Sequence, residues 1–337
     1  RRMRFGIFQS AQWPEGAVQQ ARLRDAIEQS VLAEKLGFDS VFMTEHHFSR
    51  HGIVPDNLSM LSYLAALTRR IRLGTAVSVL PLHDPVRLAE SAALLDVLSD
   101  GRLEFGIGRG YQWGEFNGFG LSLDERAARF EESITVILRS WTTDEPFDHD
   151  GRYWHYRNAW PQPQPLQKPH PPIWMATVSD DGFEMCVEHD WGVMLPQAVP
   201  LESVDKWVLS YKTAFERHGK PFDPDKLMLA RGLHIGRDDE RAWEEGGPAY
   251  EKFLELASKV AKSPDGNASP LPINVESIRE SAMICGPETC IEKLRAVREL
   301  GIEYVIFFSN MGGLDHALVM ESMRRFTASV MPQLRAN

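Results

Sequence analysis

Gly37-Phe38-Asp39-Ser40-Val41-Phe42-Met43-Thr44-Glu45-His46-His47-Phe48 is the stretch that decides how the chain is read. Its glycine closes an amphipathic run, Leu23 to Leu36, and Ser40 to Met43 is a short apolar strand. The strand runs out into Thr-Glu-His-His, which puts polar, titratable side chains just past its C-terminal end. The same unit recurs on both sides. Upstream, Arg4 to Phe8 reads as a first strand. Downstream come a helix at Asn57 to Thr68, a strand at Ile71 to Val79 and a helix at Pro85 to Leu98. A strand at Leu103 to Ile107 then leads into Gly108-Arg109-Gly110. Short apolar runs alternating with helical periodicity indicate βα units around a parallel sheet.

The second half continues the pattern less regularly. A helix at Asp124 to Trp141 precedes an aromatic passage, Phe147 to Pro172, whose six prolines between Pro161 and Pro172 exclude helix. Strands recur at Ile173 to Ala176, Trp191 to Leu195, Leu227 to Ile235 and Tyr304 to Phe308. Helical patterns cover Gly182 to Glu188, Leu201 to His218, Asp238 to Val260, Pro287 to Leu300 and Asp315 to Val330. Eight strands with intervening helices predict an α/β chain folded as a single (β/α)8 TIM barrel domain over 1–337, with a rim excursion near 147–172. An open doubly wound sheet is the alternative. It expects a glycine-rich turn after the first strand, and Phe8-Gln9-Ser10-Ala11-Gln12-Trp13 has no glycine. The polar, turn-rich segment Lys262 to Asn274 is read either as a mobile lid or as a plain exposed loop.

Composition narrows the partners. The chain has 337 residues, 43% hydrophobic and 25% charged, enough apolar mass for a large core. Its formal net charge of -10 repels nucleic acid and anionic membranes, and no run approaches the roughly 20 apolar residues a membrane helix needs. Three cysteines, Cys186, Cys285 and Cys290, are too few for a disulfide framework, so a reducing cytoplasm is expected.

In a barrel of this kind the chemistry sits at the C-terminal ends of the strands. His46 and His47 beside Glu45 there suit proton transfer or, as a weaker reading, metal ligation. Gly108-Arg109-Gly110 lets backbone approach a ligand while the forked guanidinium recognises a phosphate. Thr177 and Ser179 precede a helix start near Asp180, where free N–H groups and hydroxyls hold an anion or simply cap the helix. Phe8, Trp13, Phe48, Tyr111, Trp113, Phe116 and Phe119 could wall an apolar pocket. Cys285 and Cys290 lack a common zinc spacing.

Taken in order, these motifs resemble the bacterial-luciferase-like family of flavin-dependent monooxygenases. The matching stretches are Met3 to Phe8, Gly37 to Phe48, Leu73 to Pro81, Asp84 to Glu90, Leu95 to Gly110 and, near the end, Gly286 to Cys290 through Val330 to Leu334. The resemblance implies a (β/α)8 barrel that receives reduced FMN from a separate flavin reductase. It then adds O2 to form a flavin hydroperoxide and passes one oxygen to a small organic substrate. It implies His46, with His47 beside it, as the catalytic histidine and Arg109 and Ser179 as phosphate-binding residues. It also implies a cis peptide at Ala76-Val77 under the flavin ring, and a homodimer formed through Asn57 to Thr68 and Pro85 to Leu98. Where the family has a second phosphate-binding hydroxyl, this chain has Gly182. Where luciferase has a reactive cysteine, it has Gly108, so light emission is not implied.

Three other readings stand beside this one. They are a deazaflavin-dependent hydride-transfer enzyme of the same fold, a zinc-dependent hydrolase using His46 and His47, and a non-catalytic flavin-binding protein.

Overall fold

The strand ladder closes on itself. In the computed structural model, which describes residues 2–260 and 279–336, the parallel strands are β1 (Arg4–Gln9), β2 (Ser40–Met43), β3 (Arg72–Thr75), β4 (Ser78–Val79) and β5 (Leu103–Gly108) in the first half. An antiparallel hairpin of β6 (Phe147–Asp150) and β7 (His155–Ala159) follows. Then come β8 (Ile173–Ala176), β9 (Gly192–Leu195), β10 (Leu227–Ile235), β11 (Met283–Cys285) and β12 (Tyr304–Phe308). Neighbours run β1-β2-β3-β5-β8-β9, and β10 joins β9 to β12, which pairs with β1. The result is the expected eight-stranded (β/α)8 barrel, with β4 continuing the β3 position and β11 added at the upper end of β10.

The helices start and stop where local chemistry directs. The helix α1 (Gln19–Leu36) ends on Gly37 at φ 84°, a left-handed conformation that costs glycine nothing, and the Gly37 N–H returns to Ala33 and Glu34. Asp56 caps α2 (Asn57–Leu67) by accepting from Ser59 N–H. Asp84 caps α3 (Pro85–Leu98) the same way, with Pro85 in the first turn. A short helix, α4 (Trp113–Gly118), follows β5, and α5 (Arg126–Thr142), α6 (Asp180–Glu188), α7 (Leu201–Arg217) and α8 (Asp239–Val260) complete the ring up to β10. Helices at Pro287–Glu299, His316–Arg325 and Met331–Arg335 close it.

Two apolar layers hold the barrel. Phe42, Trp174, Met194, Met228, Tyr304 and Ile306 fill its interior, and the opposite strand faces pack on the helices through residues such as Phe5, Ile7, Val41 and Phe307. The β1–β2 approach needs Gly6, because a Cβ there would fall 2.2 Å from Ser40 Oγ. That hydroxyl in turn accepts from Tyr304 Oη at 2.6 Å.

Two features depart from the expected pattern. The single strand Ile71 to Val79 is cut in two, at the Ala76–Val77 peptide, which is cis as the resemblance implies. The Phe147 to Pro172 passage contains the β6–β7 hairpin. Beyond it the chain runs down the outside of α3 and α5, where Gln164 reaches Ser140 O and Gln167 is held by Asp96 near the start of β5. The segment Lys262 to Asn274 lies outside the described residues. Among the described residues no helix is long and apolar enough to cross a membrane.

Candidate active site

The strand exits meet at one end of the barrel. Register places Met43 beside Thr75, Val79 beside Gly108, and Ile107 beside Met175. The segments that follow these residues, carrying His46, Ala76 and Val77, Arg109, and Thr177 and Ser179, therefore leave the sheet together. Asn57 ties two of them by donating to Val77 O at 3.3 Å and accepting from Ser78 Oγ at 3.2 Å.

Because β2 ends at Met43, the two histidines belong to separate networks. His46 N–H donates to Val54 O at 3.0 Å, and its ring meets the start of α4: Nδ1 lies 3.3 Å from Glu115 Oε1 and 2.9 Å from the amide atom placed as Gln112 Nε2. A carboxylate oxygen only accepts, so Nδ1 carries a proton toward Glu115, and the Gln112 amide fits by turning its oxygen end to it. In the neutral ring that leaves Nε2 with the lone pair. The same Glu115 oxygen accepts the His47 N–H at 3.0 Å.

The His47 ring turns to Glu45, whose buried carboxylate takes His47 Nε2 at 3.1 Å, His83 Nε2 at 2.9 Å and Val79 N–H at 3.1 Å. Burial alone would raise the Glu45 pKa, but the hydrogen bonds from His47 and His83, the nearby His83 charge and the Val79 N–H outweigh it and hold it below its ordinary value. His83 is moved the other way. Burial lowers it, while the Glu45 bond and charge, with Asp56, carry it above its ordinary value. Among the described residues, no group of three or more His, Cys, Asp or Glu side chains could hold a metal ion.

Arg109 follows β5 between two tightly packed glycines. A Cβ on Gly108 would lie 2.5 Å from Val77 Cγ2, and one on Gly110 2.8 Å from both Phe116 and Val79. The guanidinium rests 5.5 Å from the Phe130 ring centroid, and its buried Nε has no hydrogen-bond partner among the described residues. It acts on the first turns of α6: burial pushes the Cys186 thiol up to about 12, with Arg109 pulling the other way. At the start of α6, Ser179 Oγ accepts from Gly182 N–H at 3.3 Å and lies 3.2 Å from Thr177 Oγ1. Asp180 and Asp181 occupy the first turn.

Val77, half-buried, packs with Ala76 on the barrel's interior cluster, and an aromatic group of His47, Phe48 and Phe119 stands at the rim. Sequence reading named His46, His47 and Arg109. It passed over Glu115, Gln112 and His51, which contact the histidines from the short helix α4, the residue before it and the loop after β2, and His83, which shares Glu45 with His47.

The luciferase-like monooxygenase family model matches residues 3–304. The chain belongs to this family. Like its luciferase-like relatives, it is a monooxygenase-type oxidoreductase. It is 45% identical over 323 residues to the uncharacterized protein y4vJ of Sinorhizobium fredii, covering 93% of this chain and 92% of the other. It is 28% identical to the oxygenase component of a flavin-dependent trigonelline monooxygenase of Acinetobacter baylyi, covering 98% and 95%. Among solved structures, monooxygenase RslO1 from Streptomyces bottropensis superposes with a TM-score of 0.88 at 26% identity, covering 98% and 99%. Two luciferase-like structures under 25% identity share the barrel alone. One is the 3,6-diketocamphane monooxygenase oxygenating constituent of Pseudomonas putida in complex with FMN (TM-score 0.83, 18%, covering 99% of both chains). The other is an F420-dependent secondary alcohol dehydrogenase (TM-score 0.78, 19%, covering 100% of both).

Proposed function

We propose that this protein is the oxygenase component of a two-component system. It takes reduced FMN from a separate flavin reductase, together with O2, and places one oxygen atom on a small organic substrate. The supporting observation is that a proton-handling histidine and an anion-binding strand exit share one end of the barrel. His46 is oriented by Glu115, and Arg109, with an unpaired buried Nε, stands by the Thr177–Ser179 helix start.

The residues fit a flavin phosphate. The Arg109 guanidinium, the two hydroxyls and the orphan N–H groups of α6 are the donors an anion requires. Ala76 and Val77, between β3 and β4, form the apolar face for the ring system. Reduced flavin, when bound, supplies the electron pair that O2 activation needs. His46 then takes or returns the proton at Nε2, while Glu115 holds its ring in register. The apolar interior under the mouth, with Phe8, Trp174 and Met194, limits water.

The chain works as a single domain, in the cytoplasm, without nucleic-acid or membrane partners, and as a homodimer. Tyr63 and Leu67 of α2 and Leu94, Val97 and Leu98 of α3 are large, exposed apolar side chains on the two helices expected at the seam.

Anaerobic titration with reduced FMN and, in parallel, reduced F420 tests this reading. Tight FMN binding, followed by O2 uptake that yields an oxygenated product with the right substrate, is expected. Preference for F420 with no O2 uptake would replace it with hydride transfer.

A further inference from the structure

Beside His46, His47 and His83 the site holds a fourth imidazole, which the Glu-His-His motif does not reveal. His51 lies in the loop after β2 with its ring centroid 4.7 Å from that of His46, and it stacks on Phe253 of α8 at 5.9 Å. The position of its proton follows from a short chain of donors. Gly312 N–H donates to Gln12 Oε1 at 2.6 Å, and a backbone N–H can only donate, so the oxygen end of the Gln12 amide is fixed. The nitrogen end, 3.2 Å from His51 Nδ1, must then donate, and Nδ1 holds a lone pair.

Burial, and next to it the charge His46 can carry, push the His51 pKa well below its ordinary value, so the ring is neutral near pH 7. Its one proton is therefore on Nε2. Among the described residues that nitrogen has no hydrogen-bond partner. The assembly is braced from behind: Ser10 Oγ donates to His51 O at 2.9 Å and Arg22 Nε to Gln12 O at 3.1 Å. Of the groups around His51, His46 is the titratable one that acts on it. Arg22 reaches it only through Gln12, Glu115 faces His46, and α8 presents the apolar Phe253.

His46 and His51 are thus fixed in opposite senses. His46 directs its Nδ1–H to Glu115 and keeps a lone pair on Nε2, while His51 keeps the lone pair on Nδ1 and the N–H on Nε2. We propose that His51 is a further catalytic residue, a neutral imidazole whose Nε2–H donates a hydrogen bond to an oxygen atom of the bound substrate beside the proton-accepting His46. The substrate class this pair selects is a carbonyl or hydroxyl compound. An analogue lacking that oxygen forgoes this hydrogen bond and binds about tenfold more weakly or worse. The substrate role rests on the oxygenase reading, but the tautomer does not.

The test uses the 15N-labelled full chain without cofactor, with imidazole nitrogen–proton correlation spectra recorded from about pH 5.5 to about pH 8.5. His51 is assigned through His51→Gln. His51 is expected to stay neutral with its proton on Nε2 throughout, and Gln12→Leu to release that preference. A proton on Nδ1, or titration near the ordinary histidine value, overturns the proposal. A second arm adds benzaldehyde, cyclohexanone or toluene. The two carbonyl probes should shift the His51 Nε2–H resonance and toluene should not. No shift with either carbonyl compound, or an equal shift with toluene, overturns the donor role. Because neither arm contains flavin, a failure to bind reduced FMN would remove the oxygenase reading and leave these results intact.

Discussion

Glu115 Oε1 stands 3.3 Å from His46 Nδ1, so a carboxylate from α4, the short helix after β5, fixes the proton of a histidine from the loop after β2. The dependence is geometric and electrostatic together, because a fixed Nδ1–H is what frees Nε2 for proton exchange. Glu115→Gln retains the shape but removes the charge. Product formation is expected to fall by about 10–100-fold, with reduced-FMN binding nearly unchanged. His46→Ala should cost more, about 10²–10⁴-fold. Single-turnover product yield beside a flavin titration checks both. An unchanged yield in Glu115→Gln would remove its orienting role.

Arg109 provides the second prediction. Among the described residues its buried Nε has no partner, and its charge acts on Cys186 of α6. Arg109→Met should weaken reduced-FMN binding by about 10–100-fold, the equivalent of losing about 1.5–3 kcal/mol of charge-assisted hydrogen bonding. The expected loss is smaller for riboflavin, which has no phosphate. Parallel anaerobic titrations with the two flavins decide it, and equal losses would move Arg109 away from the phosphate.

How far the sequence carried depends on which physics was local. The eight barrel strands were legible because each is a short apolar run bounded by turn residues, and Gly37 and Asp84 mark helix ends by their own backbone chemistry. The cut at Ala76–Val77 was not visible in the apolar run Ile71 to Val79, and only family likeness suggested it. Glu115 was hidden because its partners lie 69 and 68 residues away, and His51 because its role depends on Gln12, 39 residues earlier. No spacing rule joins residues on different loops. The β6–β7 hairpin was missed for another reason: His155–Ala159 is mostly polar and half-exposed, with no alternation to read.

Gly182 explains why the usual hydroxyl is missing there. A Cβ at this position would sit 2.0 Å from Thr177 Oγ1 and 2.8 Å from Thr177 Cβ, so the larger residue at 177 requires glycine at 182. Gly182→Ala should destabilise the fold by about 1–3 kcal/mol through overpacking and should also weaken reduced-FMN binding. Adding Thr177→Ala, which removes Oγ1 but keeps Cβ, should restore part of the stability without restoring binding, because one of the two hydroxyls at the helix start is gone. Denaturation midpoints and flavin titrations of the single and double variants separate the effects, and full recovery of binding in the double variant would exclude Thr177 from the flavin site.

The Glu45–His83 pair gives stability a pH dependence of definite sign. His83 has its folded pKa raised above its unfolded value of about 6.5, so its contribution is complete below that value and is lost as pH rises through the folded pKa. Glu45 has a lowered folded pKa, so its contribution is present above its unfolded value of about 4.3 and is lost as pH falls through the folded one. The pair is therefore strongest between those limits. His83→Leu leaves Glu45 its bonds from His47 and Val79 but one donor short, and should cost about 1–3 kcal/mol near pH 6. The difference from the parent protein should be smaller at about pH 9, because the contribution of His83 is lost as pH rises through its folded pKa. Urea denaturation of both proteins at the two pH values measures it. A difference that stays constant or grows with pH would show that His83 acts by packing rather than by charge.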